Sequence, residues 1–298
     1  MLPPAGREKL YLIRFRSEAF GAGRMTILRA PSFPGDERFQ IKRELGRGGM
    51  GVVYEAFDRE RQESVALKTL QWIDPHAIYR LKREFRTLAD VAHGNLVHLY
   101  ELIARDDIWF FTMELIEGVD FLEHVRPGAL DVPRLRPALR QLVEAVAALH
   151  QAGKVHRDIK PSNVLVTKAA RVVVLDFGIA VESETTSALR TVEDGMAGTT
   201  EYMSPEQCAG EPGTPASDWY AVGVLLYQAL TGSLPFSGSL LSVLTRKQQA
   251  DPPPPSDLAP DLPADLVELS NRLLARAPAD RPADADLLRR VEASAAVV

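Results

Sequence analysis

The chain has 298 residues, 46% of them apolar and 25% charged, with a formal net charge of −5. That is ordinary globular composition with length enough for a buried core, which excludes a disordered or collagen-like chain and a chain-wide nucleic-acid surface. The single cysteine, Cys208, excludes an internal disulfide framework and a cysteine-based zinc site, and points to a reducing, cytoplasmic setting.

Residues 1–30 carry six Lys/Arg against two Asp/Glu, so the leader is basic while the remainder is acidic. Its apolar stretch Leu10–Phe15 is cut by Arg14 and followed by Arg16, which leaves no h-region for a signal peptide. A flexible leader or a small hairpin accounts for residues 1–35, as does a basic arm for an acidic surface or lipid. Pro31, Pro34 and Gly35 punctuate its end, so the folded part is expected from Asp36. Runs 39–45, 52–57 and 64–70 alternate or run apolar with β-branched content and read as three successive strands. Asp74-Pro75 reads as N-cap and first helical residue, and Ile78, Leu81, Phe85, Leu88 and Ala92 keep helical spacing after it. Strands 97–104 and 108–115 follow, with a turn at Arg105-Asp106-Asp107.

From there helices dominate. Residues Leu135–Gln151 carry Leu135, Leu139, Leu142, Val146 and Leu149 on one stripe. Runs 163–167 and 172–176 form a small hairpin, and the Ser/Thr-rich stretch 179–200 reads as a long loop. Segments 218–231, 240–249, 264–275 and 284–292 are helical by pattern, and Asp251–Pro255 is expected to be an extended, polyproline-like crossing. The most apolar stretch, Ala221–Leu230, falls short of the roughly 20 residues a membrane helix needs, so no membrane segment is expected. A strand-rich front and a helix-rich back give α+β in two lobes.

Gly46-Arg-Gly48-Gly49-Met-Gly51 fits G-x-G-x-x-G, a spelling shared with dinucleotide-binding turns. Such a turn must open a helix, but Val52-Val53-Tyr54-Glu55-Ala56 is strand-like. A glycine turn between two strands is either an ordinary hairpin or a flap whose N–H groups lie over phosphates. Lys68 follows in Val65-Ala66-Leu67-Lys68; alone it fits a solvent-facing strand lysine, and with the flap it fits a phosphate ligand. Glu84 stands on the apolar flank of its helix, in the row Leu81, Glu84, Leu88, where it could hold that ammonium. His156-Arg157-Asp158-Ile-Lys160-Pro-Ser-Asn163 places an acid, two cations and an amide within eight residues. Asp158 can accept the proton of an attacking hydroxyl, Lys160 can reach a transferred phosphate, and Asn163 can ligate Mg²⁺. Asp176-Phe177-Gly178 supplies a carboxylate to bridge that metal to phosphates, a sparse oxygen set of the kind Mg²⁺ favours.

Together these residues resemble the eukaryotic-type (Hanks-type) serine/threonine protein kinases of bacteria, from about Phe39 to Val291. The resemblance implies a bilobal α+β protein-kinase fold, with a small β-rich N-lobe over 36–116 and a larger, mostly helical C-lobe over 117–298. It implies ATP as co-substrate, Mg²⁺ (or Mn²⁺), and protein substrates that the sequence does not name. Lys68, Asp158 and Lys160 would be catalytic, and Asn163 and Asp176 would hold the metal. The ATP site would comprise Leu45, Gly46, Gly48, Gly51, Val53, Ala66, Lys68 with its partner Glu84, the gatekeeper Met113, the hinge residues Glu114 and Ile116, and Leu165. Ser204-Pro205-Glu206 stands where the family often has Ala-Pro-Glu. Glu206 would pair with Arg281, and Asp218 would anchor the catalytic loop. Lys160 and Thr199 match the Ser/Thr-specific form, with Thr199 lining the acceptor site within Gly198–Glu206. Asp58-Arg-Glu-Arg61, Thr112-Met-Glu-Leu115 and Ser217–Ala221 resemble the kinase domain that opens large multidomain bacterial kinases.

The resemblance also directs attention to the loop 179–203. Arg157, directly before Asp158, is expected to hold a buried positive charge with which a loop phosphate could pair; the alternative is an arginine satisfied by backbone carbonyls. Autophosphorylation is therefore expected at Thr191, then at Thr185, Thr186 or Ser187. A nucleotide-binding pseudokinase scaffold would lack Lys68, Asp158 or Asp176, and all three are present. A small-molecule kinase would not need the acceptor segment Gly198–Glu206.

Overall fold

The structure is a computed structural model that describes residues 33–48, 51–70, 75–105, 108–176 and 200–295. By its contacts the chain forms two compact units, one of residues 1–72 with 101–115, the other of 73–100 with 116–298.

The first unit is built on a five-stranded sheet in the order β1-β2-β3-β5-β4. Its strands are β1 (Phe39–Gly48), β2 (Gly51–Asp58), β3 (Glu63–Thr69), β4 (Leu99–Arg105) and β5 (Ile108–Glu114). The pairs β1–β2, β2–β3 and β3–β5 are antiparallel. Alternation drives β2, where Val52, Tyr54 and Ala56 are buried between half-exposed neighbours. Phe39 packs edge-on against Phe110, and Phe33, three residues before the expected start, lies on the same ring at 4.7 Å.

Gly48 pairs with Gly51 across β1 and β2, so the glycine motif joins two strands and does not open a helix. Gly51 has φ 140°, and a Cβ there would stand 1.7 Å from the Thr69 carbonyl. Thr69 secures this end of the sheet, since its Oγ1 accepts from Val52 N and donates to Val52 O.

The second unit holds α1 (Pro75–Ala89), a three-stranded sheet and the remaining helices. Residues 73–100 group here, whereas the sequence reading, with boundaries at 35/36 and 116/117, keeps them with the strands. The stretch 94–97 shows why. Leu96 bridges to Val174, Asn95 Nδ2 donates to Gln141 Oε1 and the Val172 carbonyl, and Arg171 donates to the Gly94 carbonyl.

The small sheet runs β6 (Gly118–Asp120), β7 (Val164–Thr167) and β8 (Val172–Val174). After α2 (Phe121–Val125), α3 (Val132–Gln151) starts at Asp131, whose carboxylate caps the Arg134 amide, and buries the expected leucine stripe. Past α4 (Pro205–Cys208) lies α5 (Pro215–Thr231), which is buried nearly all round, as an apolar helix at the centre of a unit must be. Then come α6 (Leu240–Gln249), α7 (Pro255–Leu258), α8 (Ala264–Leu273) and α9 (Asp284–Ala295). The polyproline crossing is shorter than expected. It ends at Pro254 (φ −57°, ψ 142°), and Pro255 opens α7 because proline suits a first helical turn. Among the described residues no helix is long and apolar enough to cross a membrane.

Gly223 is where α8 approaches α5, since a Cβ there would meet that of Leu273 at 2.7 Å. Gly223→Val should therefore lower unfolding free energy by about 1–3 kcal/mol through overpacking. Urea titration followed by circular dichroism measures this, and an unchanged midpoint would contradict the close approach.

Candidate active site

The loop that leaves α3 is held by its backbone. Gly153 (φ 70°) turns the chain, and Lys154 N returns to the Leu149 carbonyl. The carboxylate of Asp218, 1% exposed in the first turn of α5, then accepts the amides of His156 (2.7 Å) and Arg157 (2.8 Å) on separate oxygens. Arg157 is left-handed (φ 70°), a conformation that costs a non-glycine residue about 1–2 kcal/mol and so needs such anchoring. The His156 ring sits within the loop, with Nε2 against the Leu175 carbonyl and Nδ1 accepting the Asp158 amide.

Asp158 follows, its Oδ2 accepting from Lys160 Nζ (2.8 Å) and Asn163 Nδ2 (3.0 Å). Asn163 also donates to the Asp158 carbonyl, and its own carbonyl accepts the Leu175 amide. Its amide nitrogen is thereby committed, which leaves Oδ1 as the side chain's one acceptor. The residue after Leu175 is Asp176, again left-handed (φ 56°). One short network thus fixes Asp158, Lys160 and Asn163 and leads directly to Asp176. Among the described residues no group of three or more His, Cys, Asp or Glu side chains is arranged to hold a metal ion. Two hard oxygen donors, one amide and one carboxylate, fit a Mg²⁺ ion whose other ligands are water and substrate phosphate.

The family model for the protein kinase domain matches residues 39–291. The chain belongs to the protein kinase family. It is 36% identical over 249 residues to the serine/threonine-protein kinase PrkC of Bacillus subtilis, covering 82% of this chain and 38% of that protein. To pkn2 of Myxococcus xanthus it is 39% identical over 271 residues, covering 87% and 32%. To PknA of Mycobacterium tuberculosis it is 37% identical over 254 residues, covering 82% and 58%. The chain therefore spans between about a third and three fifths of the length of these relatives. Its fold is the bilobal α+β fold of that family.

In the kinase's strand unit, register gathers several expected nucleotide residues on one sheet face. Val53 stands opposite Lys68, Ala66 opposite Met113, and Gly46 opposite Val53, while Ala66 and Lys68 are two apart in β3. Ala66 and Met113 are buried, and Lys68, Val53, Leu45 and Glu114 are half-buried. In the helical unit Ile116 and Leu165 are half-buried, Leu165 opposite Val173. The side chain of Glu84, the loop residues Thr185, Thr186, Ser187, Thr191 and Thr199, and Phe177-Gly178 lie outside the described residues.

One expectation is corrected. Arg157 is exposed, not buried. The loop anchors this residue's backbone instead: its amide goes to Asp218, its carbonyl accepts Gln207 Nε2 at 3.3 Å, and its stem passes over Gly213.

Behind the loop lie buried charges that motif spacing did not indicate. His150 Nε2 meets Asp218 Oδ2 at 2.9 Å, and its Nδ1 meets Asp284 Oδ1, which also accepts Trp219 Nε1. Burial opposes a charge on His150, but the two carboxylates outweigh it and raise its pKa above 6.5. That stabilisation is complete below pH 6.5 and is lost as pH rises through the raised value. His150 lies four residues after Val146 on the buried stripe of α3, which was the available signal. The pair expected between Glu206 and Arg281 is present and two-pronged (2.7 and 2.8 Å), with Ser217 Oγ donating to the same carboxylate. Arg281 further donates to the carbonyls of Ala216, Ala275 and Arg276.

Burial alone would push the Glu206 carboxyl up, yet Arg281 and Ser217 hold it at about 2, against 4.5 when free. Its contribution is present above pH 4.5 and lost as pH falls towards 2, on the order of 3 kcal/mol. Arg281→Met should cost about 3–5 kcal/mol and abolish that acid-side loss. Urea titrations from pH 7 to 3 measure both; a variant with the wild-type acid slope would contradict the assignment.

Proposed function

We propose that the chain is a serine/threonine protein kinase, transferring the γ-phosphoryl group of ATP to Ser or Thr hydroxyls of proteins. The observation that carries this reading is the Asp158–Lys160–Asn163 network on the anchored loop. The relatives' names and the Ser/Thr form of Lys160 support it.

In this reading the substrate hydroxyl oxygen attacks the γ-phosphorus while the bond to the bridging β,γ-oxygen breaks, giving phosphoprotein and ADP. Asp158 takes the hydroxyl proton, and Lys160, already on that carboxylate, moves its charge towards the transferring phosphoryl group. Lys68 binds the α- and β-phosphates, with Glu84 as its partner. Gly46, Gly48 and Gly51 let backbone lie over the phosphates, Glu114 and Ile116 hold the adenine, and Leu45, Val53, Ala66, Met113 and Leu165 line its site. Asn163 Oδ1 and Asp176 would hold Mg²⁺ (or Mn²⁺), which supplies charge neutralisation on the phosphate oxygens. Such transfer is mostly positioning and electrostatics, so geometry fixed before substrate arrives is the enzyme's main contribution.

The protein substrates include the chain itself, within loop 179–203, with Thr191 the first site and Thr185, Thr186 and Ser187 after it. Because Arg157 is exposed, a phosphate paired with it gains about 0.2–1 kcal/mol, a weak ordering force.

Asp176→Asn and Lys68→Met should each leave less than about a tenth of wild-type turnover with labelled ATP, at least about 1.4 kcal/mol of barrier. Phosphosite mapping of the active protein beside Asp176→Asn reads the loop in the same experiment. A variant above a tenth of wild-type turnover would remove its residue from the machinery. An active protein with no phosphate in 179–203 would end the autophosphorylation reading.

A further inference from the structure

The helical unit of this kinase buries a lysine that none of the motifs uses. Lys247, in the last turn of α6, is 1% exposed. Its ammonium donates to three backbone carbonyls, those of Thr200 (2.9 Å), Glu201 (2.7 Å) and Met203 (2.5 Å). An ammonium has three hydrogens, so three carbonyls use all of them. The next residue, Gln248, donates from Nε2 to the Pro205 carbonyl. The Tyr220 ring lies 5.4 Å from the ammonium, and among the described residues no carboxylate reaches it at ion-pair distance.

A lysine placed only for stability is normally solvated or paired with an acid, because a buried unpaired charge is costly. Burial here lowers the ammonium's pKa to about 8, with the Cys208 thiol and Glu201 opposing the shift. The three carbonyls it collects lie within the four-residue stretch 200–203, which therefore turns about the ammonium. Downstream, the same segment is tied to the catalytic loop, since Gln207 Nε2 donates to the carbonyl of Arg157, the residue before Asp158. The end of α6 thus grips 200–205, and 207 grips the loop that carries the base.

We propose that Lys247 is a positioning residue for the protein substrate: by gathering the carbonyls of Thr200, Glu201 and Met203 it shapes the segment that presents the acceptor hydroxyl to Asp158. This rests on the reading of Gly198–Glu206 as the acceptor segment. Lys247 acts through the backbone of that segment, so its loss is felt by the peptide substrate and not by ATP.

The test uses a Ser/Thr peptide selected with the wild-type protein from a random library, and measures kcat, KM for peptide and KM for ATP. Lys247→Met keeps the length of the stem and removes the donors. It should raise peptide KM at least tenfold, with kcat within threefold and ATP KM within twofold. Lys247→Arg keeps charge and donors and should stay within threefold of wild type in peptide KM. If Lys247→Met does not fold, Lys247→Arg and Lys247→Gln decide, with peptide KM rising as the number of donors falls. Met203→Glu changes the half-exposed side chain of the same segment and keeps the backbone carbonyl that accepts from the ammonium. A shift in peptide KM for Met203→Glu but not for the Lys247 variants overturns the proposal and leaves the acceptor reading standing. No shift in either overturns both. Equal losses in kcat and in both KM values would make Lys247 a structural residue only and also overturn the proposal.

Discussion

Everything at the catalytic loop depends on one carboxylate. Asp218 accepts two consecutive amides, His156 and Arg157, and thereby holds a left-handed residue beside Asp158. A carboxylate can do this because each of its oxygens accepts strongly, and burial in α5 removes the water that would compete. The helix is a suitable post, since it is enclosed on nearly every side and Gly223 lets α8 pack directly on its backbone. From Arg157 onward the order is local: Asp158 is tied to Lys160 and Asn163, and Asn163 to Leu175, one residue before Asp176.

The same helix collects the other buried charges. Asp218 meets His150, whose far nitrogen meets Asp284, and Ser217 donates to Glu206, which is clasped by Arg281. Tyr220 presents its ring to both Arg281 and Lys247. Ion pairs of this kind are poor sources of net stability compared with apolar packing. Their use here is directional, because each fixes backbone that ordinary helix and sheet hydrogen bonds do not reach: residues 156–157, 200–205 and 275–276.

Much of this was legible in the sequence. Strands β1 to β5 were marked by apolar runs with β-branched content, and the strand-like residues after Gly51 argued against a dinucleotide turn, which must open a helix. The nearness of Asp158 and Asn163, and of the chain just before Asp176, could be read because the motif residues are few and adjacent. The short elements β6, α2, α4 and α7 show no period and were not anticipated, whereas β7 and β8, just as short, were legible as a hairpin from their β-branched runs. Arg157 was misjudged because its environment depends on backbone anchoring, and a φ of 70° is invisible in a residue type other than glycine. Lys247 was hidden for a different reason. A lysine in the last turn of an amphipathic helix is the ordinary solvated arrangement, and only a segment some 45 residues earlier makes it a buried one.

The central claim is that Asp218 sets the conformation of the catalytic loop. Asp218→Asn tests it most directly, because the amide offers one accepting oxygen where two backbone N–H groups need one each. Amide hydrogen exchange across 154–163, measured beside turnover with labelled ATP, reads both consequences. The account predicts exchange at His156 and Arg157 at least tenfold faster, turnover reduced at least tenfold, and unchanged protection in β2 and β3. A folded variant with wild-type exchange at those two amides and turnover within twofold of wild type would contradict it.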